Sequence, residues 1–501
     1  MKLTIPEFYR GREIFVTGGS GFLGKVLIEK LLRSCPDLNT IFVLLRSKKG
    51  RSADERLSDI VQLPLFDVLR ETMPTQLSKL VAIAGDVTEL KMGISTEGRE
   101  LMRNVSVIFH AAASVRFDDP LRDAILINTR GTREVMRFAE TLPDLKALIH
   151  VSTTYCNPDK HVVEEKLYPP YADWRTAITI AEKFDKELLN ILEKKFSSFQ
   201  PNTYTFTKSM AEHVVNDYKD KLPVLICRPS IVVSTIAEPI PGWIDNFNGP
   251  VGMLVASGVG VLRTVYGNPD VISDFMPVDV AIKSIIIAGY EKGMQTEKSK
   301  ELTIYNCSTS NLRGVTTGEI IEIAKELIKL KPMEQMIWVP YGSLTSSKTL
   351  HYIRFFFLHL LVAILVDSIL RVLNRKVFLL KIHRRIYEAN LALHYFASTH
   401  WEFINNKFVE LDAKVPSADV REFSFLYLKD LDIKDYFYKA LVGARKFLLK
   451  ESDDNIEYAR RKFWTIYYID KVLRIIVGVC LIRSVFRTLG VWNYIGPYLQ
   501  K

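Results

Sequence analysis

The stretch Ile14-Phe-Val-Thr-Gly-Gly-Ser-Gly-Phe-Leu-Gly24 reads as a short strand, a glycine turn and the start of a helix. Ile14–Val16 is an apolar run of the kind that a parallel sheet buries on both faces. Gly18 permits the tight turn after the strand, Gly21 lets backbone N–H groups approach a pyrophosphate, and Gly24 lets the helix pack closely on the strand. The helix N-terminus adds a favourable dipole and free donors for phosphate oxygens. Phe22 and Leu23 lie between the last two glycines and join the same site. Three glycines alone also fit an ordinary turn. The strand before them and the helix after them make dinucleotide binding the expectation.

The same rhythm continues from residue 13 to residue 330. Apolar runs recur at Ile41–Leu45, Val81–Ala84, Val107–Phe109, Ala147–Val151 and Val224–Cys227. Helical patterns fill much of the space between them, as at Lys25–Leu32, Ala124–Glu140 and Thr205–Tyr218. Such alternation predicts an α/β fold, a Rossmann-type doubly wound parallel sheet. Arg46 ends the second run, with Lys48, Lys49 and Arg51 behind it. An acidic residue there would suit the two ribose hydroxyls of NAD, whereas an arginine suits a 2′-phosphate. The expected cofactor is therefore NADPH, and the alternative is a solvated basic loop. Asp86 and Val87 follow the third run, where Asp86 could accept from the adenine amino group or serve as a turn residue.

Tyr204 and Lys208 are four residues apart in a helical pattern and so share a face. A cation beside a phenol is expected to lower its pKa and make it a proton donor to a carbonyl oxygen. Val151-Ser-Thr-Thr154 ends an earlier strand, and the hydroxyls of Ser152 and Thr153 could polarise the same carbonyl. The alternative for the Tyr–Lys pair is a plain surface helix.

Composition sets further bounds. The 501 residues allow two or three domains, and the formal charge is +10. Basic charge suits nucleic acid, an anionic membrane or a phosphorylated substrate, but no zinc-finger or RNP-like pattern supports nucleic acid. Five dispersed cysteines read as reduced thiols, and no metal-ligand spacing is present. The first strand follows the N-terminus too closely for a signal peptide, so the catalytic part is expected to face the cytosol. Glu238–Gly252, rich in proline and glycine, reads as a functional loop.

Beyond residue 330 the expectation is a linker over 331–354, a candidate membrane helix over 355–372 and a smaller, mainly helical domain over 373–450. A basic tail over 451–501 then carries a second candidate anchor at Ile475–Ile482. Phe355–Leu370 is short of the roughly 20 apolar residues of a spanning helix and contains His359 and Asp367. It is either membrane-embedded or interfacial, or a buried helix of the second domain.

The chain resembles the extended short-chain dehydrogenase/reductases and, more narrowly, the alcohol-forming fatty acyl-CoA reductases of animals. The residues that carry the likeness include TGGSGFLGKVLIEKLL at 17–32, GDVTE at 85–89, FHAAASVRFD at 109–118 and INTRGT at 127–132. They continue with IHVSTTYCN at 149–157, YTFTKSMAE at 204–212, RPSIV at 228–232, EPIPGWIDNFNGPVG at 238–252 and RRIYEANLALHYFASTHWEF at 384–403. The resemblance implies Tyr204 as general acid, Lys208 as its partner and cofactor ligand, and Thr153 in preference to Ser152 as the third hydroxyl. It further implies that Asn128 helps hold the lysine through water and that Ala111 and Ala112 pack the cofactor. The implied reaction takes a long-chain acyl-CoA through an aldehyde to a primary alcohol with two NADPH, at an intracellular membrane. The endoplasmic reticulum is expected first and the peroxisome second; the oligomeric state is open. Thr154, Leu426 and Ile433 depart from residues usual in the family, which puts chain-length selectivity in question. A sterol dehydrogenase of the same superfamily and a non-catalytic dinucleotide-binding membrane scaffold are the alternatives.

Overall fold

All six of those apolar runs are parallel strands in the computed structural model, which describes residues 3–489 apart from 49, 198–199, 297–300, 311 and 341. The strands are β1 (Glu13–Thr17), β2 (Thr40–Leu45), β3 (Leu80–Ala84), β4 (Val105–His110), β5 (Ala147–Val151) and β6 (Val224–Pro229). A seventh, β7 (Thr303–Cys307), completes one sheet in the order β7-β6-β5-β4-β1-β2-β3. Every pairing in it is parallel. Ile14, Phe15 and Val16 are fully buried, as burial on both faces requires. The order reverses direction between β1 and β4, and ligands of doubly wound sheets bind at that switch, beyond the carboxyl ends of the strands.

Helices α1 (Phe22–Ser34), α2 (Gly131–Ala139) and α3 (Thr203–Asp217) follow β1, β4 and β5. Downstream lie α4 (Gly249–Gly258), α5 (Val278–Met294) and α6 (Thr317–Leu330). The C-terminal part is mainly helical, with α7 (Lys348–Val372), α8 (Leu379–Ser398), α9 (Ile433–Gly443) and α10 (Ile456–Thr488). It does not stand apart from the sheet domain. Phe408, Leu411, Phe423 and Tyr436 share a core with α5, and Glu402–Phe403 pairs with Val162–Val163.

One expectation is corrected here, and one of two alternatives falls away. The segment 331–354 is no free linker. Met333, Met336 and Val339 are buried, Ser343–Thr345 pairs with Thr264–Tyr266, and α7 already starts at Lys348. Nor is the apolar stretch a buried helix, because only 17% of its apolar window is inside the protein. Its inner side holds the polar residues: Asp367 accepts from the N–H groups of Phe378, Leu379 and Leu380, and His359 accepts from that of Arg263. Phe356, Phe357, Ile364, Leu365 and Ile369 remain exposed on the outside. Among the described residues α7 is the one helix long and apolar enough to cross a membrane by length and composition. Ile475–Ile482 lies exposed within α10, and the tail beyond 489 lies outside the described residues.

Candidate active site

The glycine turn lies against the end of β4. Gly18 has φ +77°, and a Cβ there would stand 2.6 Å from the carbonyl carbon of Ala111 and the nitrogen of Ala112. Gly24 has no room either, since its Cβ would collide with the Gly18 carbonyl. Gly21 is the N-cap of α1, and no side chain caps that helix. Its first N–H groups are thus left to an anion, which is what a pyrophosphate needs. A dinucleotide fits this cradle.

Gly18, Gly21, Phe22, Leu23, Gly24, Ala111, Ser152, Thr153 and Tyr204 all line one cavity of about 1300 Å³. Ligand pockets more often fall between about 300 and 1,000 Å³, so there is space for more than a cofactor. Arg46, Asp86, Val87, Ala112, Asn128 and Lys208 are not among its lining residues. Arg46 and Asp86 instead face each other at 3.6 Å, with the arginine half exposed. Asp86 also accepts from the Thr88 N–H, which makes it a turn residue as well as a candidate adenine contact. Val87 is buried under Gly131, at the start of α2. Ala112 donates its N–H to the Thr17 hydroxyl.

Helix α3 carries the reactive groups. The Thr153 hydroxyl lies close enough to Tyr204 to act on its pKa, and the Tyr204 ring stacks on Phe117 at 5.9 Å. Burial pushes the Tyr204 pKa up, and the Thr153 contact only partly offsets this. The expected lowering by Lys208 is therefore corrected: the lysine is not among the groups that shift this phenol, burial dominates, and the phenol stays protonated at neutral pH. Lys208 donates to the Val151 carbonyl at 2.6 Å. Burial lowers its pKa to about 8, opposed by the Glu212 carboxylate. The Ser152 hydroxyl is buried and makes no hydrogen bond to the described residues, Tyr204 included. Asn128 binds Thr207 at 2.9 Å and Ser114 at 2.9 Å, so its direct partner is the residue before the lysine.

Sequence reasoning missed the ion pair beneath this site. Arg228 meets Glu212 at 2.6 Å and 2.8 Å, and both are buried. The spacing Tyr204, Lys208, Glu212 was a usable signal, because residues four apart share a helix face. The Glu238–Gly252 loop was read as functional, and it folds over the glycine turn. Trp243 stacks on Phe22 at 5.4 Å, and Asp245 pairs with Lys25. Glu238 is held by Lys30, Arg33 and Lys283, which together pull its pKa down to about 2 against burial.

Comparison with known proteins adds the family. Two models described as male sterility protein match the chain, an NAD-binding one over residues 16–285 and a second over 358–451. Fatty acyl-CoA reductase 1 of Xenopus laevis is 36% identical, covering 92% of this chain and 89% of that protein. The human fatty acyl-CoA reductase 1 is 34% identical, with 100% and 97% covered. The chain belongs to the fatty acyl-CoA reductase family. It is an oxidoreductase that uses a nicotinamide dinucleotide. The fold is shared with the reductase domain of a nonribosomal peptide synthetase from Mycobacterium tuberculosis, at TM-score 0.58 and 19% identity, with 87% and 92% covered.

The Lys208 value sets a pH dependence in this fatty acyl-CoA reductase. Burial disfavours the ammonium, so the charged form prevails below about pH 8 and is lost above it. We expect kcat/KM, which reports the free enzyme, to fall about tenfold per pH unit on that alkaline side. A profile flat to pH 10 would show that Lys208 stays charged and is not the titrating group.

Proposed function

We propose that the chain reduces a long-chain fatty acyl-CoA to the primary alcohol, consuming two NADPH and releasing CoA by way of an aldehyde. The observation that carries this reading is the Thr153–Tyr204 hydroxyl pair at the wall of a cavity that begins at the glycine turn and continues into an apolar space. When bound, NADPH supplies the hydride for each of two reductions, and Gly18, Gly21, Gly24 and Arg46 are the residues to hold it. Thr153 and Tyr204 donate to the thioester carbonyl oxygen, so that negative charge developing there meets placed donors. In the second reduction Tyr204 gives its proton to the alkoxide oxygen. Its raised pKa keeps that proton in place at neutral pH, and an alkoxide is basic enough to take it. Lys208, one turn along α3, then stabilises the phenolate left behind. No cysteine nucleophile is required.

Arg46 is the basis for NADPH over NADH, through a 2′-phosphate that would compete with Asp86 for the guanidinium. The exposed face of α7 and the basic residues around it support attachment to an intracellular membrane with the sheet domain facing the cytosol. The endoplasmic reticulum is the compartment proposed first, and the peroxisome second. The test is a panel of acyl-CoA thioesters with purified full-length protein, measuring coenzyme oxidised per CoA released with NADPH and with NADH. Two NADPH per CoA and fatty alcohol as product are expected. One per CoA with aldehyde accumulating would stop the reaction a step earlier, and equal use of NADH would remove the role given to Arg46.

A further inference from the structure

The cavity extends well past the hydroxyl pair, and α8 measures how far. Phe396 stands 5.3 Å from Phe117, the ring that stacks on Tyr204. From Phe396 back to Arg385 the cavity-lining residues of α8 recur at helical spacing through Leu393, Ala392, Ala389 and Glu388. The eleven steps between them span about 16 Å at 1.5 Å per residue. Opposite walls come from Ile320 and Ala324 of α6 and Phe437 and Ala440 of α9. Arg385 marks the end of α8 farthest from Phe396, which we define as the rim, and Lys329 of α6 and Lys471 of α10 line the cavity as well, among the carboxylates of Glu388 and Asp470.

We propose that this passage holds the acyl chain of the substrate, that Ala392 and Ala324 set its bore, and that its rim opens at the lipid surface. The proposal rests on the acyl-CoA reading above. Two occupants match the length, an acyl chain or the pantetheine arm of CoA with its phosphates on the rim. The walls decide between them. The pantetheine arm carries two amides, and walls made mainly of Leu, Ile, Ala and Phe, with Glu388 and Tyr436 as the exceptions, leave them few partners, a costly burial for polar groups. An alkyl chain needs none. Extended tetrahedral chains advance about 1.2 Å per bond, as the extended backbone does, so about 16 Å takes some 13 bonds. A long chain therefore fills the passage and reaches the rim. The helices that frame the rim also bear exposed apolar residues on other faces, Leu391 on α8 and Val472 and Ile476 on α10. Lysines and arginines beside such surface favour anionic headgroups.

The test is Ala392→Phe in the full-length protein, assayed with hexanoyl-, decanoyl- and palmitoyl-CoA under saturating NADPH. Ala392 lies only about 6 Å beyond Phe396 along α8, so a ring there blocks the middle of the passage. Each methylene kept out of an apolar site is worth about fourfold. About eight methylenes lie beyond the block, and displacing even three or four of them lowers the ratio of kcat/KM for palmitoyl- over hexanoyl-CoA by on the order of 100-fold, the least fall expected. NADPH binding, followed by nucleotide fluorescence, reports whether the variant is folded. If it is not, Ala324→Phe places a ring on the opposite wall and repeats the measurement. An equal loss at all three chain lengths in a folded variant would put the pantetheine arm in the passage and overturn the proposal, as would no change at any length. Failure of the acyl-CoA reading itself shows differently, as a wild-type protein that turns over none of the three.

Discussion

Tyr204→Phe is expected to lower turnover of acyl-CoA by about 100- to 10,000-fold, the range that a placed general acid contributes, while the protein stays folded and binds NADPH. The substitution removes one oxygen. That oxygen lies near Thr153, and even a full hydrogen bond there is worth only about 1 kcal/mol, so the melting temperature should hardly move. The ring remains stacked on Phe117, and nothing of the glycine cradle is touched. Thr153→Ala should cost less than Tyr204→Phe, because the carbonyl would keep one donor. Lys208→Ala should match the tyrosine variant in activity but lose stability too, since it strands the buried Val151 carbonyl that the ammonium now satisfies. The measurements are CoA release, NADPH oxidation and thermal unfolding for each variant. Alcohol formation by Tyr204→Phe at the wild-type rate would sink the assignment of Tyr204 as the acid.

What could be read from the sequence was whatever the local chain enforces. The glycine turn is legible because close approaches of backbone to backbone at Gly18 and Gly24 leave no space for a Cβ, and β1 to β6 because strands buried on both faces must be apolar throughout. The strand β7 escaped because its sequence, Thr-Ile-Tyr-Asn-Cys, puts Asn306 in a buried position. That asparagine is there to donate to the carbonyls of Val163 and Ile404, a need set by distant segments. The 331–354 stretch misled for the converse reason, its polar surface residues concealing the buried Met333, Met336 and Val339. Helix α7 was ambiguous in sequence because His359 and Asp367 interrupt an apolar run, and their partners lie on Arg263 and at the start of α8. The shared helix of Tyr204 and Lys208 was foreseen, but the burial that raises the tyrosine pKa was not, since desolvation has no signature in spacing. The same holds for Glu212 and Arg228, which lie on different elements.

Arg228→Met is expected to destabilise the protein by about 3–5 kcal/mol, the cost of stranding one member of a buried ion pair. The guanidinium grips Glu212 with two nitrogens and also donates to the carbonyls of Glu164 and Lys166. It thereby fastens the segment that leads out of Val162–Val163, the strand on which Glu402–Phe403 docks. The loss should appear as a large drop in melting temperature. Removing both charges in Glu212→Met/Arg228→Met should recover much of that stability, because apolar pairs often replace buried ion pairs at little cost. The rate profile should not recover with it. Glu212 is the carboxylate that opposes the lowering of the Lys208 pKa, so without it the ammonium is lost at a lower pH and the alkaline limb moves below about 8. Glu212→Gln should shift the limb in the same direction, and a double-mutant cycle separates the stability effect from the titration effect. If the double variant regains stability and keeps its limb at the wild-type position, the ion pair is a scaffold that leaves Lys208 untouched. If the limb moves while stability returns, the pair tunes the lysine that serves Tyr204, and the electrostatics of α3 form one unit from Tyr204 to Glu212.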